Sequence, residues 1–158
     1  MVKSHLAYLN LGSNIQPEIN LPKAFKLLSE YGEILQTSRV WESEPIGLKG
    51  ENFLNVCLKY KTIEDQFSLK DHVLQKIEIQ LGRKHTTDKF ASRTMDIDII
   101  LFDNEPLNED CWSLPFVVVP LADIYPDYQI VSSGETILAA ASRLRQKVWL
   151  VTRLGVLD

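Results

Sequence analysis

Asp96 and Asp98 stand two residues apart inside Arg93-Thr94-Met95-Asp96-Ile97-Asp98-Ile99-Ile100, an otherwise largely apolar run. In a β-strand, residues i and i+2 share a face and lie ~6.6 Å apart along the chain. Met95, Ile97, Ile99 and Leu101 are then expected on a core face, with Asp96 and Asp98 together on the other. Two neighbouring carboxylates repel each other and lose hydration unless something positive sits between them. Magnesium meets that need. It is a hard cation that prefers oxygen, often takes only one or two carboxylates, and fills its shell with substrate phosphates. The spacing therefore points to phosphate chemistry around a metal seat of Asp96 and Asp98.

Three other groups of residues fit that chemistry. Arg83, Lys84, His85, Lys89 and Arg93 form a basic set just before the aspartates. Arginine offers a planar fork for phosphate oxygens and lysine a mobile point charge. Phe53 and Asn55 share a face by the period-two rule, and an aromatic beside an amide suits a flat heterocycle. The loop Glu44-Pro45-Ile46-Gly47-Leu48-Lys49-Gly50 has the glycines that allow close backbone approach to a ligand. Each has a plainer reading when taken singly: a solvated basic loop, an exposed cross-strand pair, a turn. Beside an acidic pair, polyphosphate and magnesium would connect them.

Composition narrows the classes. A chain of 158 residues is expected to form one domain, residues 1–158, and 45% hydrophobic residues suffice for a core. A net charge of −4 argues against a general nucleic-acid binder. Cys57 and Cys111 make no disulfide framework, and no apolar run of about 18 residues occurs, so no membrane span is expected. A soluble, cytoplasmic protein is the resulting expectation, and a monomer is the default. His5 and His72 have no acidic or nucleophilic partner near them in sequence, so structural or surface roles are expected for both.

The elements that must position these residues are readable in outline. His5–Leu11, Ile34–Ser43, Phe53–Thr62 and Arg93–Phe102 read as strands. In Phe53–Thr62, the face Leu54, Val56, Leu58 and Tyr60 is expected in the core. Helices are expected over Pro17–Tyr31, stopped by Gly32, and from an N-cap at Ser68 to a stop at Gly82. The order βαββαβ is the ferredoxin-like pattern: an α+β fold with an antiparallel sheet and helices packed on it. A C-terminal extension is expected to add a short helix near Leu121–Ile124, a helix over Thr136–Arg145 and a strand over Lys147–Val151, in a packing role.

Five ordered blocks carry a family resemblance: Leu11-Gly12-Ser13-Asn14, Glu44-Pro45-Ile46-Gly47, Phe53-Leu54-Asn55, Ile77-Glu78 with Leu81-Gly82-Arg83, and Ser92-Arg93-Thr94-Met95-Asp96-Ile97-Asp98-Ile99. Over roughly residues 5–126 the chain resembles 6-hydroxymethyl-7,8-dihydropterin pyrophosphokinase, an enzyme family of folate biosynthesis. The resemblance implies transfer of pyrophosphate from ATP to the pterin's hydroxymethyl oxygen, with release of AMP. It implies that Asp96 and Asp98 hold two magnesium ions that bridge the ATP phosphates. It places Ser43, Ile46, Phe53, Asn55 and Phe116 around the pterin. It places Glu78, Arg83, His85, Lys89, Arg93 and Ile99 on the ATP side, with Arg83 and Arg93 joining the aspartates in catalysis. No separate general base stands out, which leaves Asp96 as the candidate to orient or deprotonate the hydroxyl.

The chain also departs from the family pattern. Phe90-Ala91-Ser92-Arg93 stands where Trp-Gly-Pro-Arg is usual, and His85 where an arginine is usual. Pro115 runs directly into Phe116, without the customary His-Pro segment and arginine before it. The alternative expectation is thus a catalytically weak or inactive pterin- or nucleotide-binding relative that lacks part of the ATP clamp. An RNA-binding module shares the βαββαβ order and sheet aromatics, but the net charge and the acids at the sheet centre disfavour it.

Overall fold

The computed structural model describes residues 2–45, 47, 50–84, 86–88 and 91–158. The expectations placed on Ile46, His85, Lys89 and Phe90 lie outside these residues.

Alternating apolar residues produce the sheet. Its strands are β1 (His5–Ser13), β2 (Glu33–Thr37), β3 (Val40–Ser43), β4 (Phe53–Thr62), β5 (Asp96–Phe102), β6 (Glu105–Pro106) and β7 (Leu150–Arg153). They pair antiparallel in the order β6-β5-β1-β4-β3-β7, and β2 also pairs with β4. The four strands expected from the sequence thus take the ferredoxin-like order, with β1 at the centre.

One face is covered by α1 (Pro17–Tyr31) and by a second helix in three joined stretches: α2 (Gln66–Ser68), a π-helical segment (Leu69–Leu74) and α3 (Gln75–Gln80). Leu21, Ala24 and Leu28 of α1, with Leu69, Val73 and Ile77, pack on Leu9, Leu11, Leu54, Val56, Leu58, Met95 and Ile97. Each leucine, valine, isoleucine or methionine among them contributes about 1.5–3 kcal/mol when fully buried. The other face carries α4 (Pro115–Ile124) and α5 (Ile137–Arg145), whose apolar residues pack on Tyr8, Trp41, Cys57 and Leu101. The C-terminal extension therefore does pack: its helix covers the second face, and β7 extends the sheet beyond β3.

Several boundaries differ from expectation, each for a visible reason. The strand expected over Ile34–Ser43 breaks at Ser38-Arg39, where the Cys57 N–H donates to Ser38 Oγ at 2.8 Å instead of to a backbone carbonyl. Asp65, not Ser68, caps the second helix: its Oδ1 accepts from the Ser68 N–H at 2.8 Å. The aspartate strand begins at Asp96 rather than Arg93. The helix expected near Leu121–Ile124 starts at Pro115, a residue suited to the first helical position. Its Val117-Val118-Val119 run would suit a strand, but packing on the sheet holds it helical. The last strand lies over Leu150–Arg153, in register with β3.

Leu101 corrects the expected face pattern. Leu9 pairs with Ile99 but Tyr8 pairs with Leu101, so Ile100 is an extra residue without a partner on β1. The bulge sends Ile100 and Leu101 together to the second face, while Met95, Ile97 and Ile99 keep the first.

Candidate functional site

The site is built on the second sheet face. Gly12 on β1 lies between Asp96 on β5 and Asn55 on β4, and Asn10 lies between Asp98 and Cys57. Residues directly opposite in antiparallel strands project on the same side. The two aspartates, Asn10, Gly12, Phe53 and Asn55 therefore share a floor. With Ser43, Glu44, Pro45, Ala91, Arg93 and Phe116 they line a cavity of about 210 Å³. Phe116 reaches it from the first turn of α4, where the direct Pro115-Phe116 junction places it. Gly12 keeps the floor low: a Cβ there would come within 3.2 Å of Asn55 Oδ1 and 3.7 Å of Phe53 Cδ1. Asn55 is buried, and its Nδ2 donates to Ser43 Oγ at 2.7 Å, which fixes the amide plane.

Asn14 ties together the loops that wall this cavity. Its Nδ2 donates to the Glu51 carbonyl at 3.1 Å and to Ser92 Oγ at 3.3 Å. Gly50 passes close by with φ +83°, where a Cβ would lie 2.6 Å from Ser92 Oγ. Only glycine combines that backbone conformation with that approach.

Charge is concentrated around Asp96. Its Oδ1 accepts from Arg83 Nη1 at 2.9 Å, and its Oδ2 lies 3.0 Å from Arg93 Nη1. The same Arg83 nitrogen reaches Glu78 Oε2 at 2.6 Å. That oxygen also accepts the Ile97 N–H at 2.7 Å, so Glu78 joins α3 to the aspartate strand. Burial pushes the Glu78 carboxyl above its usual range, against the pull of the Ile97 N–H and Arg83. Asp98 is pushed up to about 7, first by the protein around it and then by the negative Asp96 beside it. Its side chain still meets solvent, so this crowding is that of a cleft wall rather than a sealed interior. A pair in which one carboxylate resists ionisation suits a cation, and its hard oxygens suit magnesium. Among the described residues no group of three His, Cys, Asp or Glu side chains comes together for a metal. Asp96 and Asp98 are the two carboxylates of the cavity floor that could hold a cation.

A larger cavity of about 740 Å³ adjoins the first, and Asp98 and Phe116 line both. Ile97, Ile99, Gln66, Lys70, Asn108 and Leu114 are among its other walls. Ser43, Phe53, Asn55, Phe116, Arg93, Asp96 and Asp98 thus meet in the smaller cavity. Ile99 belongs to the larger one. Arg83 and Glu78 line neither and act on the site through Asp96 and Ile97. The sequence pattern assigns no role to Asn10 or Asn14. Both are buried polar residues on or just beyond an apolar strand, and that mismatch was the available signal.

Comparison with known proteins agrees with this geometry. The family described as 7,8-dihydro-6-hydroxymethylpterin-pyrophosphokinase (HPPK) matches residues 8–126. The chain is 34% identical over 133 residues to the Bacillus subtilis 2-amino-4-hydroxy-6-hydroxymethyldihydropteridine pyrophosphokinase, covering 77% of this chain and 78% of the relative. It is 36% identical over 132 residues to the Aquifex aeolicus protein of the same name, covering 76% and 80%. Among solved structures, a Plasmodium falciparum HPPK-DHPS variant superposes with a TM-score of 0.73 over 93% of this chain and 46% of that longer one. At 15% identity, this last likeness concerns the fold alone.

Proposed function

Because the chain belongs to the 7,8-dihydro-6-hydroxymethylpterin-pyrophosphokinase family, we propose that it transfers pyrophosphate from ATP to the hydroxymethyl oxygen of 6-hydroxymethyl-7,8-dihydropterin, releasing AMP in folate biosynthesis. The carrying observation is that Asp98 and Phe116 line both cavities. Two substrates placed in them would meet at the acidic pair.

The smaller cavity suits the pterin. Phe53 and Phe116 offer ring faces, while Asn55 and Ser43 offer hydrogen bonds to the ring edge. Ile46 joins this set on the sequence resemblance alone. The larger cavity suits ATP, with Ile99 as an apolar wall. Magnesium would be held by Asp96 and Asp98, where it would neutralise phosphate charge. Two ions are proposed on the resemblance.

Phosphoryl-type transfer asks a protein for alignment and charge neutralisation more than for covalent help. Arg93, held at Asp96 in the wall of the smaller cavity, is poised to meet phosphate oxygens with its guanidinium fork, and Arg83, held at the same carboxylate, is assigned to the phosphates by resemblance. Glu78 orients Arg83 and supports the strand that carries both aspartates. His85 and Lys89 are assigned to the phosphates by resemblance. All these residues come from one chain, so a monomer suffices. No helix among the described residues is long and apolar enough to cross a membrane. Work in the cytoplasm is proposed as the setting for these soluble substrates. Nothing among the described residues favours the catalytically silent alternative, since both carboxylates and both arginines are in place.

The test is incubation with ATP, magnesium and the pterin, followed by measurement of AMP. Asp96→Ala and Asp98→Ala should each lower the rate by about 10³-fold or more. No AMP from the wild-type chain would overturn the reading. Full activity in either variant would overturn the metal assignment.

A further inference from the structure

The loop between β3 and β4 is tied at its base to the C-terminal strand. Ser43 and Phe53, both walls of the smaller cavity, form the last pair of β3 with β4. Just past that pair, Asn52 Nδ2 donates to Glu42 Oε2 at 2.9 Å. The other oxygen, Glu42 Oε1, accepts from Arg153 Nη1 of β7 at 2.7 Å. Arg153 Nη2 lies 3.4 Å from Glu18 Oε1, in the first turn of α1. The bonds from Asn52 and Arg153 hold the Glu42 carboxyl below the usual carboxylate range. These contacts run on the sheet face away from the smaller cavity: Glu42 pairs with Leu54, and Leu54 packs in the first core. Asn52, Glu42 and Arg153 line a separate cavity and neither of the two assigned to the substrates. The family match ends at residue 126, so Arg153 lies beyond it, in the extension.

We propose that Arg153 is a positioning residue for the pterin: through Glu42 and Asn52 it fixes the base of the loop that carries Glu44 and Pro45 into the smaller cavity. This rests on the pyrophosphokinase reading and gives the C-terminal strand a part in it beyond packing. An arginine beside Glu42 favours the ionised carboxylate, which is the stronger acceptor for the Asn52 amide. The Arg153 fork spans Glu42 on β3 and Glu18 on α1, which limits where Glu42 can point. Asn52 directly precedes Phe53, so a shift of Asn52 displaces the ring offered to the pterin. Asn14 ties the same end of the loop at the Glu51 carbonyl, so loss of Arg153 loosens the loop without releasing it. The effect is therefore graded and falls on the pterin before it falls on ATP.

The experiment is equilibrium titration of 6-hydroxymethyl-7,8-dihydropterin into the chain with magnesium and α,β-methylene-ATP, whose α–β link is not cleaved, beside titration of that analogue alone. Arg153→Ala and Asn52→Ala should each weaken the pterin by about five-fold and leave the analogue within about two-fold of wild type. The double variant should stay within about two-fold of Asn52→Ala, because both residues act along one path. Arg153→Lys, which keeps a cation for Glu42, should recover most of the affinity. If Arg153→Ala does not fold, Arg153→Gln is read in its place. The proposal is overturned by unchanged pterin affinity in Arg153→Ala, by equal weakening of pterin and analogue, which would mean a general structural role, or by a double variant weakened about 25-fold, which would mean two independent effects. AMP release by the wild-type chain with ATP is followed in parallel. A wild-type chain that binds pterin and releases no AMP would sink the pyrophosphokinase reading alone, whereas one that binds no pterin would overturn both.

Discussion

Asn14 and Arg93 hold each other at two points. The Asn14 N–H donates to the Arg93 carbonyl at 3.0 Å, and Asn14 Oδ1 accepts the Arg93 N–H at 2.7 Å. The end of β1 is thereby stitched to the residue that leads into the aspartate strand. Asn14→Ala removes the side-chain bonds to Arg93, Glu51 and Ser92 together. It should lower stability by about 1–3 kcal/mol and weaken pterin binding, because both loops that wall the cavity are released. Chemical denaturation and pterin titration measure the two effects. An unchanged midpoint would show that the loops are held by other contacts.

Glu78 should behave as a support rather than as a ligand. Glu78→Ala leaves the Ile97 N–H unpaired and frees Arg83 from one of its two carboxylates. A loss of about 2–4 kcal/mol is expected. Glu78→Gln keeps an acceptor for Ile97 and should recover part of that loss. Thermal melts of the two variants decide; equal destabilisation would argue against the Ile97 bond as the reason.

Asp98 carries a pH signature with a defined sign. Its folded pKa lies above its unfolded value, so the fold binds this proton more tightly than the unfolded chain does. The stabilisation from its protonated form is full below the usual carboxylate range and is lost as pH rises toward about 7. Asp98→Asn should therefore melt higher than the wild-type chain at about pH 8, with the gap closing near pH 4, while losing activity. Magnesium at about 10 mM should raise the wild-type melting temperature more than that of Asp98→Asn. The same magnesium response in both proteins would remove Asp98 from the metal seat.

Gly12→Ala tests the floor. The added Cβ would lie 3.2 Å from Asn55 Oδ1, so the amide must give by a few tenths of an ångström, which strains its bond to Ser43. KM for the pterin should rise by about ten-fold, with a smaller change in kcat and in the KM for ATP. An equal rise in both KM values would mean a general distortion of the sheet.

Much of the site was legible because its signals are local. Period-two alternation put Asp96 and Asp98 on one face and Phe53 and Asn55 on one face, and the register of β1 with β4 and β5 brings those faces together. Glycine and proline marked the loops. The bulge at Ile100 was not legible, because it depends on how β5 pairs with β1 and not on β5 itself. The start of α4 was hidden by a valine run whose helical state depends on the surface beneath it.

The sequence by itself determined the chemistry available: paired carboxylates, arginines close by, an aromatic and an amide at strand spacing. Side-chain type and short-range geometry are enough for that. Only the tertiary structure decided which charges meet and which polar groups stay unmet. Arg83 reaches Asp96 across thirteen residues, Asn14 reaches Ser92 across seventy-eight, and Asn10 Oδ1 meets no described residue at all. Such pairings are set by strand register and by the packing of α3 against β5, which no local pattern encodes.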